Sequence, residues 1–495
     1  MRRFNHKALV VAIASFGTVG VANAAGLDRS GQDVTAFLQD GTYAEAVYTY
    51  VDADIAGVDT SGQAIKDIAE PYDFFRYGVK ADINDRFSVG VMYDEPFGAA
   101  VKYEGGNDFV SSGANATVAA LTGGQLLDFA TTQDTANNLR GTAGILADNL
   151  KENAISMQEL GAELAAAQAA GDTAKVAQLT KDLQDSQVDI ATKRQRLDVV
   201  LKKAKTLTAA TNVAATAENQ IGEGTNVEIR TNNATALIGA KLGANRNFQI
   251  YGGPAAQRLT GEVHLRGVAY QGAQGYDAKI STDTAVGWVA GVSYSKPEIA
   301  LKAALTYRSK IKHDSVISEV FPALGATGTT SRDFSVTLPE SYNLDFQTGV
   351  NPTTLLTAKV RYVPWSGFDI RPPTYGDATL ISAVKKLPIV SYDKDQWSAE
   401  IGFGKKLSDK LSVAGNIGYD SGAGNPATSL GPIKGYYSVG LGAKYSVTPE
   451  WSVSLGGKYL KFGDAQAQLP TNAIVGRFKD NDGFIAGLKV AYHAK

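Results

Sequence analysis

Three groups of residues in the chain are of types that do chemistry. The first is the carboxylate pair Asp94-Glu95, followed by Pro96, Phe97, Gly98 and Ala99. Paired carboxylates work as general acid and base when they converge on one reacting group. These two end an alternating run in which neighbours point to opposite faces, so they share no site without a bulge and read as structural. The second group is the histidines His6, His264, His313 and His493, none with a partner at the spacing of a zinc site or a hydrolytic triad. Cysteine is absent, which removes thiolate metal sites, thiol catalysis and disulfides. No enzyme activity, metal or cofactor is expected. The third group is basic residues at two-residue spacing. Lys302, Thr306 and Arg308 share one face, opposite Leu301, Ala303, Leu305 and Tyr307. Lys359 and Arg361 share another, opposite Ala358, Val360 and Tyr362. Such cations can meet a ligand carboxylate through charge-assisted hydrogen bonds, or they can form internal ion pairs with acids on other segments such as Glu400.

The elements that carry these residues have strand periodicity. Phe87, Val89, Val91 and Tyr93 alternate with Ser88, Gly90 and Met92, and Val101 and Tyr103 resume the alternation after the interruption at Asp94–Gly98. The segments from Gly287, Trp397, Tyr437, Trp451 and Phe484 repeat the pattern, each with an aromatic residue at an end of its apolar face. An apolar outer band bordered by aromatic girdles, with a more polar interior, is the pattern of a transmembrane β-barrel. A soluble sandwich also alternates but has no need of aromatics at both ends of successive strands. The 52 Gly and 22 Tyr suit this all-β class, and a net charge of -2 gives no support for a nucleic-acid partner. Basic side chains on the lipid face cost about 2–4 kcal/mol at the midplane, so Lys302, Arg308, Lys359 and Arg361 are expected to face the lumen. Six tight turns, at Asn84-Asp85, Asn245–Asn247, Lys296-Pro297, Asn351-Pro352, Ser408–Lys410 and Thr448–Glu450, alternate with long polar loops and predict fourteen antiparallel strands.

The N-terminus has a charged start (Arg2, Arg3, Lys7), an apolar stretch from Ala8 to Val21 and the small-residue motif Ala22-Asn23-Ala24. This predicts a signal peptide over 1–24, hence a Gram-negative outer-membrane location. Residues 25–42 do not alternate and have two homes, the periplasm or the lumen. Barrel strands follow over 43–124 and 221–495. Between them, residues 125–220 carry helical seams: Leu150, Met157, Leu160 and Leu164, then, after a break at Gly171-Asp172-Thr173, Val176, Leu179, Leu183, Ile190, Leu197 and Leu201. An antiparallel helical hairpin inserted in an outer loop is expected, either a partner-binding arm or lid, or an insertion with no transport role.

The run Tyr93-Asp94-Glu95-Pro96-Phe97-Gly98-Ala99, together with Leu338-Pro339-Glu340-Ser341-Tyr342, Asn351-Pro352 and Tyr362-Val363-Pro364-Trp365-Ser366, resembles the FadL-type long-chain fatty acid transporters of the outer membrane. The resemblance covers roughly 43–110 and 225–495. It implies a fourteen-stranded barrel closed by an N-terminal hatch, here 25–42, and a lateral gate at a kink of the third strand, here Pro96, Phe97, Gly98 and Ala99. It also implies an inner ligand pocket, to which Arg258 is a candidate contributor beside Lys359, Arg361 and Arg308. The Asn-Pro-Ala segment common after the family's hatch is absent. The implied function is passive, monomeric uptake of long-chain fatty acids or other hydrophobic small molecules, released into outer-membrane lipid. Uptake of aromatic hydrocarbons and a general porin are the alternatives, with an outer-membrane hydrolase weaker still.

Overall fold

A computed structural model describes residues 27–325, 328–383 and 385–494; the expected signal segment 1–24 lies outside them. The alternating segments form one closed antiparallel barrel of fourteen strands. In chain order they are β1 (Thr42–Asp54), β2 (Tyr72–Asp82), β3 (Phe87–Asp94 and Gly98–Lys102), β4 (Asn226–Leu242) and β5 (Phe248–His264). Next come β6 (Asp277–Lys296), β7 (Leu301–Arg308 and Ile311–Val320), β8 (Thr330–Leu338 and Ser341–Asn351) and β9 (Thr354–Val363). The last five are β10 (Gln396–Lys406), β11 (Leu411–Asp420), β12 (Tyr436–Ser446), β13 (Trp451–Phe462) and β14 (Asp482–Ala494). Closure is complete: β1 pairs with β14 from Thr42↔Ala494 to Asp54↔Asp482.

Each wall strand places one parity in the lumen and the other against lipid. On β2, Tyr72, Phe74, Arg76 and Lys80 are buried, and Phe75, Tyr77 and Val79 are exposed on the outer face. One aromatic girdle crosses five adjacent strands through Trp288–Tyr307, Tyr307–Tyr342, Tyr342–Tyr362 and Tyr362–Trp397, with ring centroids 5.0, 5.0, 6.0 and 4.4 Å apart. Two strands run further than the alternation suggests. The sequence places the start of β6 at 283 and the end of β7 at 312; the ladder continues as Ile317↔Ile280 to Val320↔Asp277. In this stretch the buried face carries His313 and Glu319, and their polarity disguises the strand period.

The lumen is filled. Toward the loops, a large apolar cluster gathers side chains from the wall and the outer loops, among them Tyr103, Phe109, Tyr276, Trp365, Phe368 and Phe478. Toward the turns, Val34, Ala36, Phe37 and Leu38 pack against Met92, Leu237, Tyr251 and Val289. The segment before β1 therefore enters the barrel and acts as a plug.

Between β3 and β4 the chain forms α1 (Ala114–Leu121), α2 (Phe129–Ala170) and α3 (Thr173–Asn219). The Asp128 side chain caps α2 by accepting the Thr131 N–H at 2.8 Å, which holds its carboxyl below the usual range. Gly171 ends α2 in the left-handed conformation at φ 71°, and Asp172 caps α3. The seam of α3 runs through Leu179, Ile190, Ala204, Leu207 and Ala214 at heptad-compatible spacing. Leu201, expected in that seam, is exposed, and Val200 takes the half-buried position. At 1.5 Å per residue the two long helices, of 42 and 47 residues, extend about 63 and about 71 Å. The base is anchored: Ala214 packs with Ala114 and Val118, and Ser111 Oγ donates to the Ala217 carbonyl at 2.8 Å.

Because the distal hairpin buries its seam on itself, replacing residues 150–193 by a short Gly/Ser turn should leave barrel assembly intact. The expected readout is an unchanged shift in electrophoretic mobility between unheated and boiled samples; loss of that shift would show that barrel folding requires the hairpin.

Candidate functional site

The third strand is interrupted where Pro96 removes a backbone donor. Its ladder with β2 stops at Tyr77↔Tyr93. On the other side it pairs with β4 down to Asp94↔Asn233, then resumes at Gly98↔Arg230. Residues 95–97 thus oppose only 231–232, a one-residue bulge. The extra residue exchanges the two faces. Ser88, Met92 and Asp94 are buried before it; Phe97, Val101 and Tyr103 are buried after it. Val101 and Tyr103 share parity with the lipid-facing Val89 and Val91, yet they point inward. The bulge also separates the two carboxylates. Asp94 accepts from Ser30 Oγ and Asn233 Nδ2, each at 2.9 Å, and Glu95 faces the Tyr93 hydroxyl at 3.5 Å.

Opposite the bulge, the hatch replaces the missing neighbour. The Arg29 N–H donates to the Pro96 carbonyl and the Gly98 N–H donates to the Leu27 carbonyl, both at 2.7 Å. Above, the Lys102 N–H bonds the Ile68 carbonyl at 2.9 Å. Tyr72 and Phe74 of β2 and Phe97 of β3 line the interior of this break, and Phe97 meets the Trp365 ring edge-on at 5.6 Å. A second separation lies between β6 and β7, where pairing lapses between Arg308↔Val289 and Ile317↔Ile280. It has a polar filling: His313 bonds Asp283 at 2.9 Å and Gln257 at 3.2 Å.

Just inside the bulge lies a belt of buried charge. Arg361 grips Asp28 with its side-on edge, Nε to Oδ2 at 2.5 Å and Nη2 to Oδ1 at 3.0 Å, and Nη1 donates to Asn343 at 2.8 Å. Lys359 binds Asp33 at 2.7 Å. Burial alone would raise the Asp33 carboxyl, but the Lys359 and Arg76 charges outweigh it and hold the group well below its usual range. Glu45 joins Lys489 at 2.5 Å and Arg76 at 3.3 Å, and Lys458 joins Glu400 at 2.5 Å. The cavity bounded by Ser30, Asp33, Asn343, Lys359, Arg361 and Glu400 has about 90 Å³, below the roughly 300–1,000 Å³ of small-molecule pockets.

The candidate residues thus separate. Lys359 and Arg361 face the lumen, but their charges are occupied by hatch carboxylates. Arg308 is buried, donates to Thr235 Oγ1 at 3.2 Å and leaves Nε without a hydrogen-bond partner. Arg258 is turned away: Tyr251, Ala255, Gln257 and Leu259 occupy the buried parity of β5, and Arg258 falls on the exposed face. Its odd offset from Tyr251 already carried that signal.

The profile of the family described as "Outer membrane protein transport protein (OMPP1/FadL/TodX)" matches residues 199–493. The chain belongs to that family. Outer membrane protein P1 of Haemophilus influenzae is 30% identical over 190 residues, 35% of this chain and 38% of that protein; the match thus spans well under half of the relative's length. The crystal structure of a Pseudomonas aeruginosa FadL homologue superposes with a TM-score of 0.57 at 14% identity, over 97% of this chain and 98% of that one. The Pseudomonas putida toluene transporter TodX gives 0.52 at 12% identity, over 98% and 99%. At these identities the likeness concerns the fold. The family's barrel is an integral outer-membrane structure, in keeping with the girdles and closure described above.

Removing one partner of a buried ion pair costs about 3–5 kcal/mol. Asp28→Ala should therefore loosen the hatch: hydrogen exchange at the Arg29 and Gly98 amides is expected to accelerate while the β1–β14 ladder stays protected. Equal protection in mutant and parent would mean that the pair does not retain the hatch.

Proposed function

We propose that the chain is a passive channel for hydrophobic compounds, with long-chain fatty acids as the expected cargo and the break between β2 and β3 as its lateral exit. The observation that carries this reading is position. The break lies where the apolar outer cluster meets the charged belt. A long acyl chain gains about 0.8 kcal/mol per methylene buried, roughly 10 kcal/mol gross, and the outer cluster offers that burial. Beneath it, entry of the chain would strip buried ion pairs, each at the cost of several kcal/mol. Motion sideways at Phe97 avoids both the belt and water. It requires the hatch to release two backbone hydrogen bonds, and the small lumen cavity also calls for such a shift. The plugged lumen argues against an open, water-filled porin.

A second reading, passage of aromatic hydrocarbons, is favoured by the rings around the break: Trp365 lies edge-on to Phe97, Phe368 and Tyr392 at 5.6, 5.1 and 5.3 Å. Competition between oleate and toluene for uptake separates the two.

Deleting Phe97-Gly98-Ala99 should give a folded barrel whose uptake of long-chain fatty acid falls at least tenfold in whole cells. Unchanged uptake by that variant would remove the lateral exit from the mechanism.

A further inference from the structure

The hatch places a second arginine in the break itself. Arg29 is 2% exposed, and its Nε and Nη2 have no hydrogen-bond partner. Its guanidinium lies 4.0 Å from the centroid of the Tyr72 ring on β2. On the other side it lies flush against β3: a Cβ added at Gly98 would sit 2.6 Å from Cζ. Arg29 thus occupies the slot between the two strands that fail to pair. Nε and Nη2 form the side-on edge of the guanidinium, which accepts a carboxylate through two parallel hydrogen bonds. The same edge of Arg361 is filled by Asp28; that of Arg29 is empty. Nearby acids do not fill it. Glu228 is committed to Arg230 at 2.5 Å, and Glu95, whose charge also acts on Arg29, hydrogen-bonds to neither Nε nor Nη2.

A buried guanidinium whose fork is hydrogen-bonded to no carboxylate is costly to keep. We propose that Arg29 is a carboxylate-receiving subsite within the wall break, and that it selects amphiphiles with a terminal carboxylate over neutral compounds of equal length. This rests on the lateral-exit reading and deepens it. The head group would seat on Arg29 in the slot, with the apolar chain against Phe97, Tyr72 and Trp365. Since Arg29 also holds the Pro96 carbonyl through its backbone N–H, a ligand that draws on its side chain pulls on the contact that keeps the hatch in the break. Recognition of the head group and displacement of the hatch are then coupled through one residue.

Equilibrium binding of dodecanoate and of dodecanol to the purified full-length protein in detergent tests the subsite separately from transport. Arg29→Met should weaken dodecanoate binding about tenfold or more and leave dodecanol within about twofold. Arg29→Lys should recover part of the dodecanoate affinity, because it keeps the charge without the fork. An equal loss for both ligands, or no loss for dodecanoate, would overturn the proposal. Cell uptake of the two compounds addresses the channel reading. If the parent binds both but transports neither, the exit fails and the subsite stands. If Arg29→Met takes up acid and alcohol in the parent's ratio, the subsite fails and the exit stands. Heat-modifiable mobility of each variant confirms that the barrel compared is folded.

Discussion

A backbone N–H or C=O that faces hydrocarbon has no water to turn to, and leaving it unpaired costs several kcal/mol. The wall of this barrel meets that constraint by closing β1 on β14. Where β3 departs from β2, the constraint reappears, and three local devices answer it. The Thr231 hydroxyl accepts the Phe97 amide at 2.9 Å within the bulge. The backbone of Leu27 and Arg29 pairs with the β3 edge, and residues 68–70 pair with its upper end. The position of the hatch follows from this need for backbone partners as much as from the packing of Phe37 below it.

The charged belt then divides the interior into chemically distinct compartments. Above it, aromatic and aliphatic side chains from the loops make an environment suited to apolar matter. Below it, a few apolar hatch residues close the turn side. The pairs between bring cation and anion together, Asp28 against Arg361 and Asp33, alongside the wall's own Asp345, against Lys359. The basic face of β9 therefore fastens the plug. The same cations read in isolation look like ligand contacts, because a lumen-facing lysine or arginine has the same sequence signature whatever anion it meets.

Strand number, the inward parity of Lys359 and Arg361, the helical hairpin and the interruption at Pro96 were legible in the sequence, since each rests on local periodicity or turn chemistry. What was not legible rests on partners far apart in the chain. Asp28 and Arg361 are 333 residues apart, and nothing in the short segment before β1 announces which wall residue it will meet. The inward turn of Val101 and Tyr103 depends on a single unpaired residue, which strict alternation does not register. Arg258 is the opposite case: the family resemblance implies a lumen position, and its odd offset from the buried Tyr251 turns it outward. Polar lumen residues on the outer parts of β6 and β7 hid the strand period there.

The bulge at 95–97 imposes an arithmetic on how this segment can change in length. Asp94 and Val101 both face inward across an odd offset, which the bulge absorbs. Loss or gain of two residues leaves the present kink in phase. An odd change restores a regular ladder while still keeping Val101 and Tyr103 inward, so a straight third strand and a kinked one are separated by a single-residue event. Length variation at this point therefore acts as a two-state character, kinked or straight, and not as a graded one.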